Sequence, residues 1–113
     1  MQLSFDAVFY YTSDLDRAIR FYRETLGLRL TSRDYVARFD IDGVLFELVP
    51  GPPEKISGHG NARLCLRTDN IQNVSDQLRA KGVAVSAIDK KANGLLAEFK
   101  DPDGNEVCLW QYT

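Results

Sequence analysis

The sequence predicts one α+β domain made of two tandem βαβββ modules. Two observations predict it: the same order of elements occurs in each half, and a proline- and glycine-rich stretch separates the halves. The chain has 113 residues, the usual size of one domain. We therefore expect a single domain over 1–113, with module one at 1–50, a linker at 51–61 and module two at 62–113. A helix covers one face of each predicted sheet, so two such sheets can curve into a partly open, barrel-like cleft.

The first half contains one strand, one helix and three further extended segments. Residues 8–12 have the aromatic and β-branched content of a strand. Apolar side chains then recur at helical spacing from Leu15 to Leu26, and Gly27 supplies a left-handed helix end. The extended segments are predicted at about 28–34, 35–41 and 44–49, with a tight turn at Asp42-Gly43.

The second half repeats this order. Leu64 to Thr68 alternates like a strand, and Asp69 and Asn70 can cap a helix that Gly82 ends. Three extended segments are predicted next, at about 83–88, 95–100 and 106–112, with a turn at 101–104.

Composition excludes several classes of partner. The formal net charge is -2 and basic residues are interspersed with acidic ones, so no basic stripe is present for nucleic acid. No apolar run approaches the roughly 20 residues that span a bilayer, and we expect no signal peptide. Cys65 and Cys108 lie in strand-like segments, which is typical of free thiols in a reducing compartment. We therefore expect a cytoplasmic protein with no nucleic-acid or membrane partner.

Two stretches resemble a known superfamily. Residues 14–28 (DLDRAIRFYRETLGL) and 101–105 (DPDGN) resemble the vicinal oxygen chelate superfamily, which includes glyoxalase I, bleomycin-resistance proteins, fosfomycin-resistance enzymes and extradiol dioxygenases. The resemblance covers nearly the whole chain and implies the glyoxalase/bleomycin-resistance fold. It also implies a homodimer whose clefts are walled by paired modules, often from different chains.

The resemblance implies four metal-ligand positions, which this sequence fills with Ala7, Glu47, Arg63 and Cys108. Ala7 has no donor atom, and the permanently protonated Arg63 has no lone pair for a metal. One carboxylate and one thiol do not complete a Zn²⁺ or Fe²⁺ site. His59 is interpreted as an exposed loop histidine that leaves the set incomplete. We therefore expect no metal and no cofactor.

Strand alternation predicts which side chains line the cleft. If position 7 faces the cleft, then by the same alternation along the other strands Leu45, Val49, Cys65 and Glu106 face it too. The predicted ligand-binding residues are Phe9, Tyr11, Glu47, Arg63, Arg67, Cys108 and Trp110. Aromatic rings with a few charges suit a planar or partly apolar ligand with a polar end.

Several of these residues have a structural alternative. Phe9 and Tyr11 can plug the barrel instead, and Trp110 can belong to a dimer interface. Glu47 and Arg63 can form a salt bridge in place of a metal. Otherwise Arg63 and Arg67 together can hold a carboxylate or phosphate.

No catalytic residue is predicted, because Cys108 has no base beside it in the sequence and fits a packed or cleft-lining thiol. The sequence leaves enzymatic activity open and favours a metal-independent protein that sequesters a small molecule in a cleft at a dimer interface. One alternative is a metal-dependent glyoxalase-like lyase, isomerase or dioxygenase with a non-standard metal site. The other is a metabolite-sensing interaction module. Two inward-facing arginines argue against cationic bleomycin as the ligand.

Overall fold

The computed structural model describes residues 1–56 and 60–113. The chain divides into two compact units, Met1–Ser57 and Gly58–Thr113. The boundary between them falls within the stretch predicted as a linker. The interpretation of His59 as a loop histidine lies outside the described residues and stays a prediction.

The first unit is a four-stranded mixed sheet covered by one helix. Its elements are β1 (Ala7–Thr12), α1 (Leu15–Ile19) continued by a π-helical segment (Arg20–Thr25), β2 (Arg29–Arg33), β3 (Ala37–Ile41) and β4 (Val44–Pro50), followed by a 3₁₀ turn (Pro53–Lys55). The strand order is β1-β4-β3-β2, with β1 parallel to β4 and the other pairs antiparallel.

Local chemistry sets the ends of these elements. An Asp14 carboxylate oxygen accepts the Arg17 backbone N–H at 3.1 Å and so caps α1. Gly27 has φ +74° after the helix, as predicted. Asp42 and Gly43 have φ 52° and 85°, the two left-handed residues that a tight hairpin turn of type I′ needs. The predicted turn is therefore confirmed.

An aromatic cluster forms the core beneath the first helix. Tyr22, Phe39 and Phe46 are fully buried. The Tyr22 and Phe46 ring centroids lie 5.0 Å apart, and those of Phe39 and Phe46 lie 6.0 Å apart. This packing stabilises the helix on one face of the sheet and leaves the other face without a helix.

The second unit repeats the arrangement. Its elements are β5 (Leu64–Arg67), α2 (Ile71–Ala80), β6 (Asp89–Lys90), β7 (Gly94–Lys100) and β8 (Glu106–Tyr112). The strand order is β5-β8-β7-β6, with β5 parallel to β8. The predicted α+β class and the two βαβββ modules are therefore confirmed.

The strand predicted at 83–88 is wrong, because the edge strand β6 comprises only Asp89–Lys90. The Arg79 guanidinium donates to the carbonyl oxygens of Val85 and Ser86, at 3.3 and 2.8 Å. The Ser86 hydroxyl in turn accepts the Glu98 backbone N–H at 2.9 Å. Side chains thus take hydrogen bonds that a regular ladder would have used.

Three contacts hold α2 and the last hairpin in place. Asn70 caps the helix through its side-chain oxygen, and the Gln111 side chain accepts the Ile71 N–H at 2.8 Å. The buried Asp101 carboxylate accepts three N–H groups across the turn before β8. None of the helices in the described part of the chain is long and apolar enough to cross a membrane.

Candidate functional site

The helix-free face of the first sheet carries an aromatic pair. Tyr10 points to the helix side, where its ring packs on Phe46 at 5.8 Å, so Phe9 and Tyr11 lie on the opposite face. Their rings meet edge to face with centroids 5.3 Å apart. Phe9 remains 47% exposed, a large apolar surface for a strand residue. These two side chains therefore lie on the helix-free face of the first sheet, and their part in ligand binding stays a prediction.

Gly51 and Lys55 hold Tyr11 in place. A Cβ added at Gly51 would lie 2.7 Å from Cδ1 of the Tyr11 ring, so only glycine lets the chain pass this closely. The Lys55 ammonium lies 5.8 Å from the ring centroid, within the range of a cation–π interaction. Both residues fall in the predicted linker, and the one signal in the sequence was that Gly51 directly follows the last strand of the module.

Glu47 already has a cation partner within its own unit. It lies between Phe9 and Arg38 in the sheet register, and the Arg38 Nε is 3.4 Å from its carboxylate. Arg38 also contacts Asp34 at 3.2 Å. The Val36 backbone N–H and then Arg38 hold the pKa of Asp34 below its ordinary value. Arg38 was not among the predicted site residues, although the alternation of side chains along β3 could have placed it on this face.

Arg63 is likewise paired within the second unit. Its Nε lies 3.3 Å from Glu98 and its Nη2 2.5 Å from Glu106, and Nη1 donates to the Asn61 carbonyl at 3.2 Å. The hydrogen bond to Glu98, with attraction to Glu106, raises the pKa of Arg63. The guanidinium is therefore a fixed cation clamped by carboxylates from β7 and β8. Glu106 was predicted to lie on this face, whereas Glu98 was not predicted to contribute to the site.

The two cysteines are directly opposite each other on β5 and β8. Cys65 is exposed, whereas Cys108 is buried and its Sγ lies 4.0 Å from the Glu98 carboxylate. Burial raises the pKa of both thiols, and the Glu98 charge raises that of Cys108 further, partly opposed by Arg63. Both groups are therefore thiols at neutral pH, which argues against a nucleophilic role.

Trp110 and Arg67 lie side by side at the far end of the same face. The indole ring lies over Gly94, where an added Cβ would overlap the ring. Trp110 also meets Tyr112 edge to face at 5.6 Å. Arg67 is exposed, and within residues 1–56 and 60–113 it makes no ion pair. An aromatic surface thus borders an available cation.

The predicted site residues fall on two faces, one in each unit. The first unit holds Phe9, Tyr11 and Glu47, and the second holds Arg63, Arg67, Cys108 and Trp110. Glu47 and Arg63 each have ion-pair partners in their own unit, so neither needs the other to offset its charge. With Arg63 clamped by two carboxylates, Arg67 is the arginine available to an anion.

The residues at the four implied ligand positions do not fit a metal ion. Ala7 offers no donor, Arg63 is a cation, and Cys108 is a protonated thiol. Glu47, the remaining ligand type, already contacts Arg38. In the described part of the chain, no three His, Cys, Asp or Glu side chains are grouped so that they could hold a metal.

Comparisons with known proteins agree with this architecture. A family model described as Glyoxalase/Bleomycin resistance protein/Dioxygenase superfamily matches residues 4–109. Among solved structures, TnmS3, an antibiotic binding protein from Streptomyces sp. CB03234, is 30% identical with a TM-score of 0.80, over 100% of this chain and 99% of that one. A glyoxalase/bleomycin resistance protein from the same organism is 32% identical with a TM-score of 0.72, over 94% of this chain and 99% of that one.

A more distant structure shares the fold alone. Lactoylglutathione lyase from Agrobacterium tumefaciens is 19% identical with a TM-score of 0.78, over 98% of this chain and 95% of that one. A search of curated protein sequences gave no significant match.

Proposed function

Because the chain belongs to the glyoxalase/bleomycin resistance protein/dioxygenase superfamily, we propose that it binds a small molecule without a metal ion and sequesters it in a cleft at a homodimer interface. The observation that carries this proposal is the ion-paired Arg63 at a position where the superfamily resemblance implies a metal ligand. A guanidinium offers a divalent cation no lone pair, and this one occupies the two carboxylates that could otherwise act as ligands. Binding, rather than metal-assisted chemistry, is what these residues favour.

The chemistry of the two helix-free faces supports a planar, partly apolar ligand. Phe9 and Tyr11 provide one aromatic surface, and Trp110 provides another. Arg67 supplies a cation that can engage a carboxylate, sulfonate or phenolate on the ligand. The antibiotic-binding description of TnmS3, which aligns over the full length of this chain, supports the same class of function.

Metal dependence is tested by elemental analysis of the purified protein. Stripped protein is then titrated calorimetrically with Zn²⁺, Ni²⁺, Mn²⁺ and, anaerobically, Fe²⁺. The proposal expects no ion bound near one per chain. Tight binding of one ion that is lost in Glu47→Ala would overturn the metal-independent reading and require assays for lyase or dioxygenase activity.

Ligand binding is tested with the aromatic anion anilinonaphthalene sulfonate, whose emission rises in apolar surroundings. Replacing Arg67 with alanine should weaken its binding about five- to tenfold, the effect of losing one charge-assisted contact. Arg23→Ala is the matched control, because Arg23 is an exposed arginine in the helical segment, away from the sheet faces. Equal affinity in both variants would argue against Arg67 as the anion contact.

The oligomeric state is measured separately by sedimentation velocity across a range of protein concentrations. A dimer whose population rises with bound probe supports a ligand site at the interface. A monomer that still binds the probe would preserve ligand binding and refute the dimer part of the proposal.

A further inference from the structure

We propose that Cys65 and Cys108 together form a dithiol site for a soft, uncharged, thiophilic centre that two sulfur ligands complete, the chemistry of a monosubstituted trivalent arsenical. The two residues are register partners on the parallel strands β5 and β8. Both are free thiols, and the exposed Cys65 gives access from solvent. The pair lies on the same face as Arg67 and Trp110, but its chemistry does not require the small-molecule function proposed above.

Sheet geometry brings the two sulfurs side by side. Neighbouring strands are about 4.8 Å apart, and side chains at paired positions of a parallel ladder point to the same face. Cys65 and Cys108 therefore stand next to each other on the helix-free face, as the electrostatic effect of Cys65 on the pKa of Cys108 also indicates.

This spacing favours a bridging atom over a direct disulfide. A disulfide joins sulfurs about 2.05 Å apart and needs Cβ atoms about 3.8 Å apart. Side chains that stand parallel at paired positions keep their Cβ atoms about one strand spacing apart, so a direct bond would have to bring these Cβ atoms roughly 1 Å closer. A bridging atom with bonds to sulfur of about 2.3 Å, the length found in zinc thiolates, holds its two sulfurs roughly 3.5 Å apart and requires less movement.

The surroundings of the pair select against a metal cation. Zinc would need about four ligands, yet the Glu98 carboxylate beside Cys108 is already bonded to Arg63. Arg63 itself acts on the Cys108 thiol and has no lone pair to offer a metal. A trivalent arsenical carrying one carbon substituent is uncharged and requires only two sulfurs, so neither obstacle applies to it.

The reaction balances without an oxidant or reductant. An arsenoso compound, R–As=O, gives up its oxygen, which leaves as water with the two thiol protons, while two As–S bonds form and arsenic stays trivalent. Both thiols enter protonated, in keeping with their raised pKa values. Cys65 reacts first because it is exposed, and Cys108 then closes the ring on the same face.

The full chain is first reduced and freed of reductant, and phenylarsine oxide is then added as the probe. Mass spectrometry should show one adduct per chain, and both thiols should become unreactive to Ellman's reagent. Trp110 lies two residues from Cys108 on the same face, roughly 7 Å along the strand, and is the chain's one tryptophan. Its fluorescence should therefore change on binding.

Variants distinguish a paired site from ordinary thiol reactivity. Cys65→Ser and Cys108→Ser should each weaken binding about hundredfold, because the second bond is no longer intramolecular. The matched control joins Cys65→Ser with Ser32→Cys, which keeps two thiols but moves one to an exposed strand position in the first unit. It should bind as weakly as Cys65→Ser alone.

A test on the unaltered chain avoids any folding defect of the variants. Prior alkylation of Cys65 with iodoacetamide should abolish tight adduct formation, and excess monothiol should not remove the adduct while a dithiol such as dimercaptopropanol should. Two adducts per chain, adducts removed by monothiol, or tight binding after alkylation of Cys65 would each overturn the proposal.

Discussion

Replacing Gly94 with alanine places a methyl group under the Trp110 indole ring. Position 94 is buried at the start of β7, and the new Cβ would lie 2.6 Å from Cε2 of the ring and 2.7 Å from the Gln111 carbonyl oxygen. The ring can swing outward only by leaving the surface it packs on, and the carbonyl belongs to the adjacent strand. We expect the substitution to destabilise the second unit and to displace the ring.

The magnitude follows from two opposing effects. Overpacking of this kind costs about 1–3 kcal/mol, while alanine restricts the unfolded chain and returns about 0.4–1 kcal/mol. The middle of each range gives a net loss of about 1.3 kcal/mol, which lowers the melting temperature by about 5 °C in a domain of this size. Gly60→Ala is the matched control, because a Cβ there has nothing within 4 Å, and we expect it to be neutral or slightly stabilising.

Urea denaturation followed by circular dichroism measures both variants. A double-mutant cycle with Trp110→Ala isolates the clash with the ring, and we expect a coupling of about 1 kcal/mol, since the Gln111 contact remains in either background. The reasoning is refuted if Gly94→Ala unfolds at the same urea concentration as Gly60→Ala, or if the cycle shows no coupling.

Three further outcomes are expected. The pKa of Asp34 is lowered in the folded protein, so the ionised carboxylate stabilises the fold at neutral pH, and this stabilisation is lost as pH falls through the lowered pKa. The difference in unfolding free energy between the unaltered chain and Asp34→Ala should therefore shrink below about pH 4. A difference that stays constant with pH would contradict this. Arg63→Ala removes the cation that opposes the rise in the Cys108 pKa, so alkylation of Cys108 in a Cys65→Ser background should shift to higher pH, and a downward shift would contradict the assignment. Asp101→Ala should lower the free energy of unfolding, measured in urea, by about 2–4 kcal/mol. The reason is that the N–H groups of Asp103 and Asn105 lose their charge-assisted hydrogen bonds to a buried carboxylate. A loss below about 1 kcal/mol would count against this role.

Features that depend on neighbouring residues were predictable from the sequence. The left-handed glycine after each helix and the turn at Asp42-Gly43 follow from backbone sterics within a few residues. Strand alternation likewise predicted that Phe9 and Tyr11 share the face opposite the helix. The edge strand predicted at 83–88 was wrong, because Arg79 of the preceding helix donates to backbone carbonyls in this segment that a strand ladder would use.

The charge partners of the candidate site required the structure. The sequence placed Glu47 and Arg63 on strands but did not identify Arg38 or Glu98 as their partners. Each pairing depends on the register of β3 or β7 against its neighbour, and shifting either strand by one residue would send the partner to the opposite face.

The sequence by itself therefore determined the repeated modules, the superfamily resemblance and the loss of the implied ligand set, because those depend on residue types and local spacing. Only the tertiary structure decided which charges are neutralised and that Cys65 faces Cys108. It also revealed that Gly94 makes room for Trp110. These contacts join residues far apart in the chain, and their free energies arise only when non-local strands adopt a single register.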